Sequence, residues 1–514
     1  MPKPFDFGDV NLAVGGDSSS AHPHPETPFC VAILGDFSGR SNRKLSDPER
    51  VGMRRALLVD RDNFDDVLSQ SGAELEFRMG DAGSLNMRFA ELDDFHPDRV
   101  FERLEALSKL RELRKRVQDP STFQDAADEL GLRSVAAASA RSQTADASPP
   151  IPPNVSQLAS GSLLVEIIER TESRATEDRP MGVHDDVREF ARRVAAEHLA
   201  STPDLRQPEV LAVVDRAIAM LMRAVLHNPD FQALEAAWRA VFLLVRRLET
   251  GSNLKLYLID VSKEELAADL FSAQDLRGTG VYQLLVGKPV ETPGTEPWAL
   301  VVGNYSFGPE KNDVELLSRM ARVADKAGSP FLAEGSPRLF GCSSLASTPK
   351  PTSEPADAWA QLRHLPEAAT LGLAIPRLLL RLPYGKETSP VESFDFEEFL
   401  GQPVHEDYLW GNPAFAVALL LAQSFSESEW GMCPGMCPGA TSGIDGLPLH
   451  VYRENGDSEV KPCAEVLLTE DAVDQLLAAG LMPLVSFKGR DSVRLVRFQS
   501  ITDPPSALLG RWTR

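Results

Sequence analysis

The chain has 514 residues, of which 43% are hydrophobic and 25% charged, enough for roughly two to four domains of ordinary soluble composition. Its 75 acidic against 53 basic side chains give a formal charge of −22, which argues against nucleic acid or an anionic membrane as the main partner, because both would repel it. The five cysteines, odd in number and without a framework spacing, exclude a disulfide scaffold and fit a reducing compartment.

The opening MPKPFDFGDV lacks a charged region followed by an apolar one, and the apolar runs Ala414 to Ala422 and Leu371 to Ile375 fall short of the roughly 20 residues that span a bilayer. A cytoplasmic protein without membrane insertion is expected. Within Phe5 to Val14, residues Val10, Leu12 and Val14 alternate on one side of a short strand, which the Gly, Ser, His and Pro rich connector GGDSSSAHPHPETP tethers to the rest. A strand cut off in this way has unpaired backbone groups, and pairing them with a neighbouring chain is the obvious use; an unstructured tail is the alternative.

Phe29 to Leu34 reads as a compact strand leading into Gly35-Asp36-Phe37-Ser38-Gly39-Arg40, which lacks both the Lys-Ser pair and the Gly-x-Gly-x-x-Gly spacing of a phosphate loop. A strand at Leu57 to Asp60, a helix from about Asn63 and strands at Leu75 to Met79 and Leu85 to Phe89 follow. Asp93-Asp94-Phe95-His96-Pro97 turns into one long helix carrying Phe101, Leu104, Leu107 and Leu113. Two carboxylates beside a histidine raise a metal site, but turn and cap chemistry explains the same residues. From Ser134 to Asn154 an Ala, Ser and Pro rich linker has nothing to build a core. Three helical patterns follow before Leu226: LLVEIIERT, VHDDVREFARRVAAEHLA and PEVLAVVDRAIAMLMRAVL.

Leu226 to Asp269 reads as helix, strand, helix. Asn228 before Pro229 starts the first helix, Phe231, Leu234, Trp238, Phe242 and Val245 form its apolar face, and Gly251 ends it. Leu254 to Val261 is a strand, and Ser262 with Glu265 makes a capping box for the next helix. The pattern then gives a strand at Trp298 to Val302, a loop through Gly303 and Gly308, a helix from about Asp313 to Ala327 and a strand at Phe331 to Ala333, the alternation of a parallel sheet. Gly303 and Gly308 have Walker A spacing, but Pro309 and Glu310 stand where Lys and Ser or Thr belong. Arg377 and Arg381, four apart, are placed to face acidic residues such as Glu397 and Glu398 in a structural salt-bridge network, in which surface pairs would be worth only about 0 to 1 kcal/mol each. Cys433 and Cys437 have the spacing of half a zinc site without a second close pair, so a Pro and Gly rich loop is the default. Leu481 to Phe487 and Val493 to Gln499 form a strand pair around a turn at Lys488 to Asp491, with Pro483 at the start or edge of its strand. No Ser-His-Asp or Cys-His arrangement stands at a recognisable spacing, so no enzyme, catalytic residue, cofactor or metal is expected.

Phe231, Leu234, Glu235, Trp238 and Arg239 with Val261 to Leu266 resemble the large contractile-sheath subunit of bacterial type VI secretion systems, and Trp359, Leu371 to Gly385 and Tyr408 to Phe415 extend the likeness. GDFSGR and DDFHPDRVFERLEALSKLRELR are similar to the small sheath subunit of the same system. The resemblance implies an α/β sheath-protein fold, with mixed sheets flanked by helices, a helical segment and interchain strand exchange. It divides the chain into a tethered strand and connector (1–28), a small-subunit-like part (29–132), the linker (133–154), a helical segment (155–226) and a large-subunit-like part (227–514). It implies a structural subunit polymerising as a helical tube around an inner tube and contracting to expel it, with a non-contractile accessory or baseplate scaffold as the alternative. Implied partners are the chain itself, the inner tube protein, the baseplate, and a AAA+ disassembly ATPase or separate sheath subunits. Val10, Leu12 and Val14 would be donated to Leu484, Val485, Phe487, Val493, Leu495, Val496 and Phe498 of a neighbour.

Overall fold

In the computed structural model of the chain, the described residues are 23–78, 84–130, 204, 206–292, 294–346, 357–434, 443–454 and 456–513. The apolar run after the N-terminal connector forms β1 (Phe29–Gly35), buried along its whole length. The small N-terminal part adds β2 (Leu57–Val59) and an antiparallel hairpin of β3 (Glu74–Arg78) and β4 (Ser84–Arg88). The rest of the chain supplies β5 (Leu254–Asp260), β6 (Trp298–Phe307), β7 (Phe331–Gly335) and β8 (Leu371–Ile375), then the short pair β9 (Leu378–Leu379) and β10 (Trp410–Gly411). β11 (Gly443–Ile444), the hairpin β12 (His450–Glu454) and β13 (Asp457–Lys461), β14 (Leu481–Ser486) and β15 (Val493–Leu495) complete it.

Nine of these strands form one sheet, in the order β11-β15-β14-β8-β7-β6-β1-β5-β2. β1 runs parallel to both β5 and β6, and β7, β8 and β14 continue in parallel, while β2 and β15 run antiparallel to their neighbours. Helices cover both faces, as a parallel sheet requires. Alternation along β1 divides the interior: Phe29, Val31 and Ile33 join the core beneath the helices Gln207–Leu226, Pro229–Arg247 and Ala414–Ser428. Cys30, Ala32 and Leu34 face the opposite core, with the helices Lys263–Phe271 and Lys311–Ala327.

The Pro229–Arg247 helix starts as expected, with the Asn228 side chain accepting from the amides of Asp230 and Phe231, and Trp238 is fully buried. Its end differs from the expectation. The helix stops at Leu248, whose backbone is extended, and Gly251 lies beyond it, its amide bonded to the Leu254 carbonyl. The capping box of Ser262 and Glu265 forms with both hydrogen bonds.

Four other expectations are corrected. The long helix after Asp93 is broken into Pro97–Arg103, a 3-10 turn at Glu105–Leu107 and Ser108–Gln118, because Leu104 takes an extended backbone where the chain bends. Gly303 to Phe307 is strand rather than loop: a Cβ on Gly303 would lie 2.5 Å from the Phe331 ring, so this glycine serves close packing. Pro483 sits mid-strand, with neighbours on both sides. Pairing with β8 ends at Pro483 and pairing with β15 begins at Leu484, so the missing amide falls where the ladder changes partner. The last strand ends at Leu495 rather than Gln499.

Of the three helical patterns before Leu226, the last is the Gln207–Leu226 helix; the first two, with the 134–154 linker and the N-terminal strand, lie outside the described residues. The Asp93 to Pro97 turn uses its polar groups as caps. Asp94 accepts from the Ala90 amide at 2.7 Å and pairs with Arg103, and His96 Nδ1 accepts from the Asp98 amide.

Candidate assembly surface

The strand pair near the C-terminus is joined in antiparallel register, with Leu484 opposite Leu495, Val485 opposite Arg494 and Ser486 opposite Val493. Gly489 makes the turn with a φ of +70°. Leu484, Val493, Leu495 and Phe498 point into the core, and Val485 is half-buried. Phe487 and Val496 are the exposed members of the set, at 38% and 45%. On the outer side of β15, β11 pairs with Val493 and Arg494 alone. Val10, Leu12 and Val14 lie outside the described residues.

The fold also holds two buried ionic clusters. Arg381 pairs with Glu398 as expected, but in the interior rather than at the surface, being 8% exposed. Its guanidinium meets both Glu398 oxygens at 2.8 and 3.1 Å and Glu235 at 2.9 Å, and it stacks 4.2 Å over the Tyr384 ring. Glu235 also receives Arg239 at 2.7 Å. Burial would raise Glu398, but the Arg381 charge and a His227 hydrogen bond outweigh it and hold the carboxyl down at about 2. Arg377 turns instead to Glu465, at 3.1 and 2.5 Å, and not to Glu397, whose carboxylate accepts from the Lys386 amide. Glu465 also meets His405 Nε2 at 3.1 Å, and Lys461 Nζ lies 2.7 Å from His405 Nδ1. Burial again opposes ionisation, but the bonds from His405 and Arg377 hold Glu465 at about 2.

A third cluster joins the N-terminal part to the middle of the chain. The GDFSGR turn wraps the Asp260 carboxylate, which accepts from the amides of Phe37 and Ser38 at 2.8 and 3.1 Å and from the Ser38 hydroxyl at 2.8 Å. Arg40 and Arg54 converge on the buried Glu265 at 3.0 and 2.7 Å, and the Trp238 indole donates to the Phe37 carbonyl. Gly39 has a φ of +75° and faces the Glu74 carbonyl, so a Cβ has no room there. The sequence assigned no partner to Glu235, Asp260 or Glu465, and to Glu265 only the capping box with Ser262. Glu235 had a visible signal, a carboxylate within the apolar stripe of Phe231, Leu234 and Trp238.

Among the described residues there is no group of three or more His, Cys, Asp or Glu that could hold a metal, and no helix long and apolar enough to cross a membrane. Cys433 is exposed, its thiol donating to the Gly431 carbonyl, and Cys437 lies outside the described residues.

The VipB family model, described as EvpB/VC_A0108, tail sheath N-terminal domain, matches residues 208–502, more than half the chain. The chain belongs to this tail-sheath family. Sheath proteins of the family are structural and non-catalytic. A second family model, described as type VI secretion system, VipA, VC_A0107 or Hcp2, matches residues 10–131. The type VI secretion system sheath protein TssC1 of Pseudomonas aeruginosa is 32% identical over 334 residues, covering 62% of this chain and 67% of the relative. The sheath protein TssB1 of the same organism is 28% identical over 120 residues, covering 21% of this chain and 67% of the relative. On the sheath fold the VipA-matched stretch supplies β1 to β4 and the VipB-matched stretch β5 to β15. The two share one sheet, with β1 between β5 and β6.

Proposed function

We propose that the chain is a contractile-sheath subunit of a type VI secretion, phage-tail-like apparatus in which small- and large-subunit-like parts, 29–132 and 227–514, are fused. The observation that carries this reading is the order of the two family matches in one chain, VipA-like then VipB-like, with the strands of both in one sheet. Copies assemble in the cytoplasm as a helical tube around an inner tube protein on a baseplate, and the extended lattice shortens to expel that tube. Disassembly by a AAA+ ATPase and co-assembly with separate sheath subunits belong to the same reading.

The linkage between copies is strand donation. Val10 to Val14 of one copy adds to the β14–β15 region of a neighbour, where Phe487 and Val496 offer exposed apolar side chains. Each backbone hydrogen bond contributes about 0.5 to 1.5 kcal/mol net, so one exchange amounts to several kcal/mol. Repetition through a heterologous contact that does not close gives a helix. Work then comes from the difference in interface free energy between two packings, summed over all copies.

Electron microscopy of the purified protein tests the reading. Hollow helical tubes or rosettes are expected. A monomer at every concentration, with or without the tube partner, would overturn it. Deletion of Met1 to Gly16 is expected to abolish tubes while leaving the fold intact, and normal tubes from that truncation would remove Val10 to Val14 from the donor role.

A further inference from the structure

Beside the amino end of β1 lies an apolar pocket of about 530 Å3, walled by Trp430, Met432, Cys433, Phe498, Leu508 and Trp512. Leu509, 45% exposed, also lines it. The C-terminal tail is fixed in place to build this wall. The Arg511 guanidinium donates to the carbonyls of Trp298 and Ala327 at 2.8 and 2.6 Å, the Leu509 amide donates to the Ala369 carbonyl, and Trp512 stacks on Phe29 at 6.4 Å.

The N-terminal segment joins the fold at the same wall. Thr27 accepts from the Trp430 indole at 2.7 Å, and the Phe29 ring lies 5.7 Å from that of Trp430. The residues before it carry two aromatic side chains, Phe5 and Phe7, ahead of the connector rich in Gly, Ser, His and Pro. Extended chain spans about 3.3 Å per residue, so the stretch between Phe7 and Thr27 reaches the pocket with slack. Neither Phe5 and Phe7 nor the tail residues 507–513 fall within the family matches, which cover 10–131 and 208–502. Trp430, Met432, Cys433 and Phe498 of the wall lie within the VipB match, and the tail residues Leu508 and Trp512 close it from outside that match.

We propose that the pocket holds the N-terminal segment of its own chain, with Phe5 and Phe7 as apolar anchors. Tethering supplies the segment at high effective concentration, so a modest apolar contact suffices. The consequence for assembly rests on the strand-donor reading: docked anchors keep Val10 to Val14 against their own subunit until a neighbour offers an edge.

Cys433 reports on the pocket directly. In the full chain carrying Cys437→Ser, the rate of Cys433 alkylation by a maleimide is followed by peptide mass spectrometry on dilute protein. Phe5→Ser with Phe7→Ser is expected to speed alkylation about tenfold, the equivalent of losing one buried apolar side chain, at an unchanged melting temperature. In a second variant, Phe7→Cys is expected to form a disulfide with Cys433 inside one chain when oxidised glutathione is added as the two-electron oxidant. An unchanged rate in the double variant would overturn the docking. So would protection that disappears on dilution or a disulfide between differently tagged copies, which assign the pocket to a second copy. Acceleration by Met436→Ser alone would assign it to the neighbouring loop and equally overturn the proposal. None of these readouts depends on tubes, so failure of docking and failure of strand donation are separately visible.

Discussion

The indole nitrogen of Trp238 donates to the carbonyl of Phe37 at 2.9 Å, joining residues 201 positions apart. Phe37 follows β1 in the VipA-matched stretch and Trp238 lies on the second long helix of the VipB-matched stretch. Their rings meet edge to face at 5.6 Å, and Phe64 completes the contact at 5.7 Å from Trp238. The bond therefore sits at the seam between the two parts, inside a core that both build.

Trp238→Ala is expected to cost about 3 to 5 kcal/mol through the cavity it leaves. Trp238→Phe keeps much of the volume but removes the donor, and is expected to cost roughly 1 to 3 kcal/mol. Denaturant unfolding of the two variants checks the order. A Trp238→Phe variant as stable as the parent would mean that the hydrogen bond contributes nothing beyond packing.

A protease site placed between Ser134 and Asn154 tests how far the two parts depend on one another. β1 lies between β5 and β6, and Arg40 and Arg54 reach across to Glu265, so cutting the connection leaves every one of these contacts in place. The two fragments are expected to co-elute on size exclusion at micromolar concentration and to separate only in denaturant. Fragments that part in native buffer would show that the seam is weaker than its burial implies.

Local signals in the sequence carried much of the fold. The Asn228 cap, the Ser262 and Glu265 box and the strands at Phe29, Leu57, Leu254, Trp298 and Phe331 depend on residues close in the chain, and they appear where expected. What escaped reading depends on distant residues. Glu465 finds Arg377 across 88 positions, and Arg381 finds Glu235 across 146. Nothing in spacing says that Arg377 and Arg381, four residues apart, go to different partners. Pro483 misled for a related reason, since its tolerance in an inner strand comes from a change of ladder partner that only the sheet order reveals.

Arg381 is the cation on which Glu235 and Glu398 both depend. Arg381→Met is expected to cost about 3 to 5 kcal/mol, because it leaves two buried carboxylates with less compensation. Adding Glu398→Gln to that variant is expected to recover part of the loss, a coupling that a double-mutant cycle in denaturant measures. Strict additivity would place the two side chains outside a common network.

Glu398 and Glu465 give the sign of the acid response. Both carboxyls are held at about 2 against an ordinary 4.5, so each contributes stability that is complete above about 4.5 and is lost as pH falls towards 2. The unfolding free energy is expected to fall over that window by an amount on the order of a few kcal/mol for the two sites together. The variant Glu465→Gln starts less stable near neutrality and is expected to have a shallower slope below pH 4.5. A slope identical to that of the parent would remove Glu465 from the acid response.

Two glycines separate packing from turn chemistry. A Cβ at Gly303 lies 2.5 Å from the Phe331 ring and 2.8 Å from the Tyr305 ring, both within buried side chains that have little room to shift. Gly251 has nothing within 4 Å and no left-handed backbone. Gly303→Ala is expected to cost about 1 to 3 kcal/mol from overpacking, whereas Gly251→Ala is expected to stay within about 0.5 kcal/mol of the parent. Thermal unfolding of the pair is sufficient to rank them. A neutral Gly303→Ala would mean that β6 and β7 can move apart at this point, and the glycine would then need another reason than contact with Phe331.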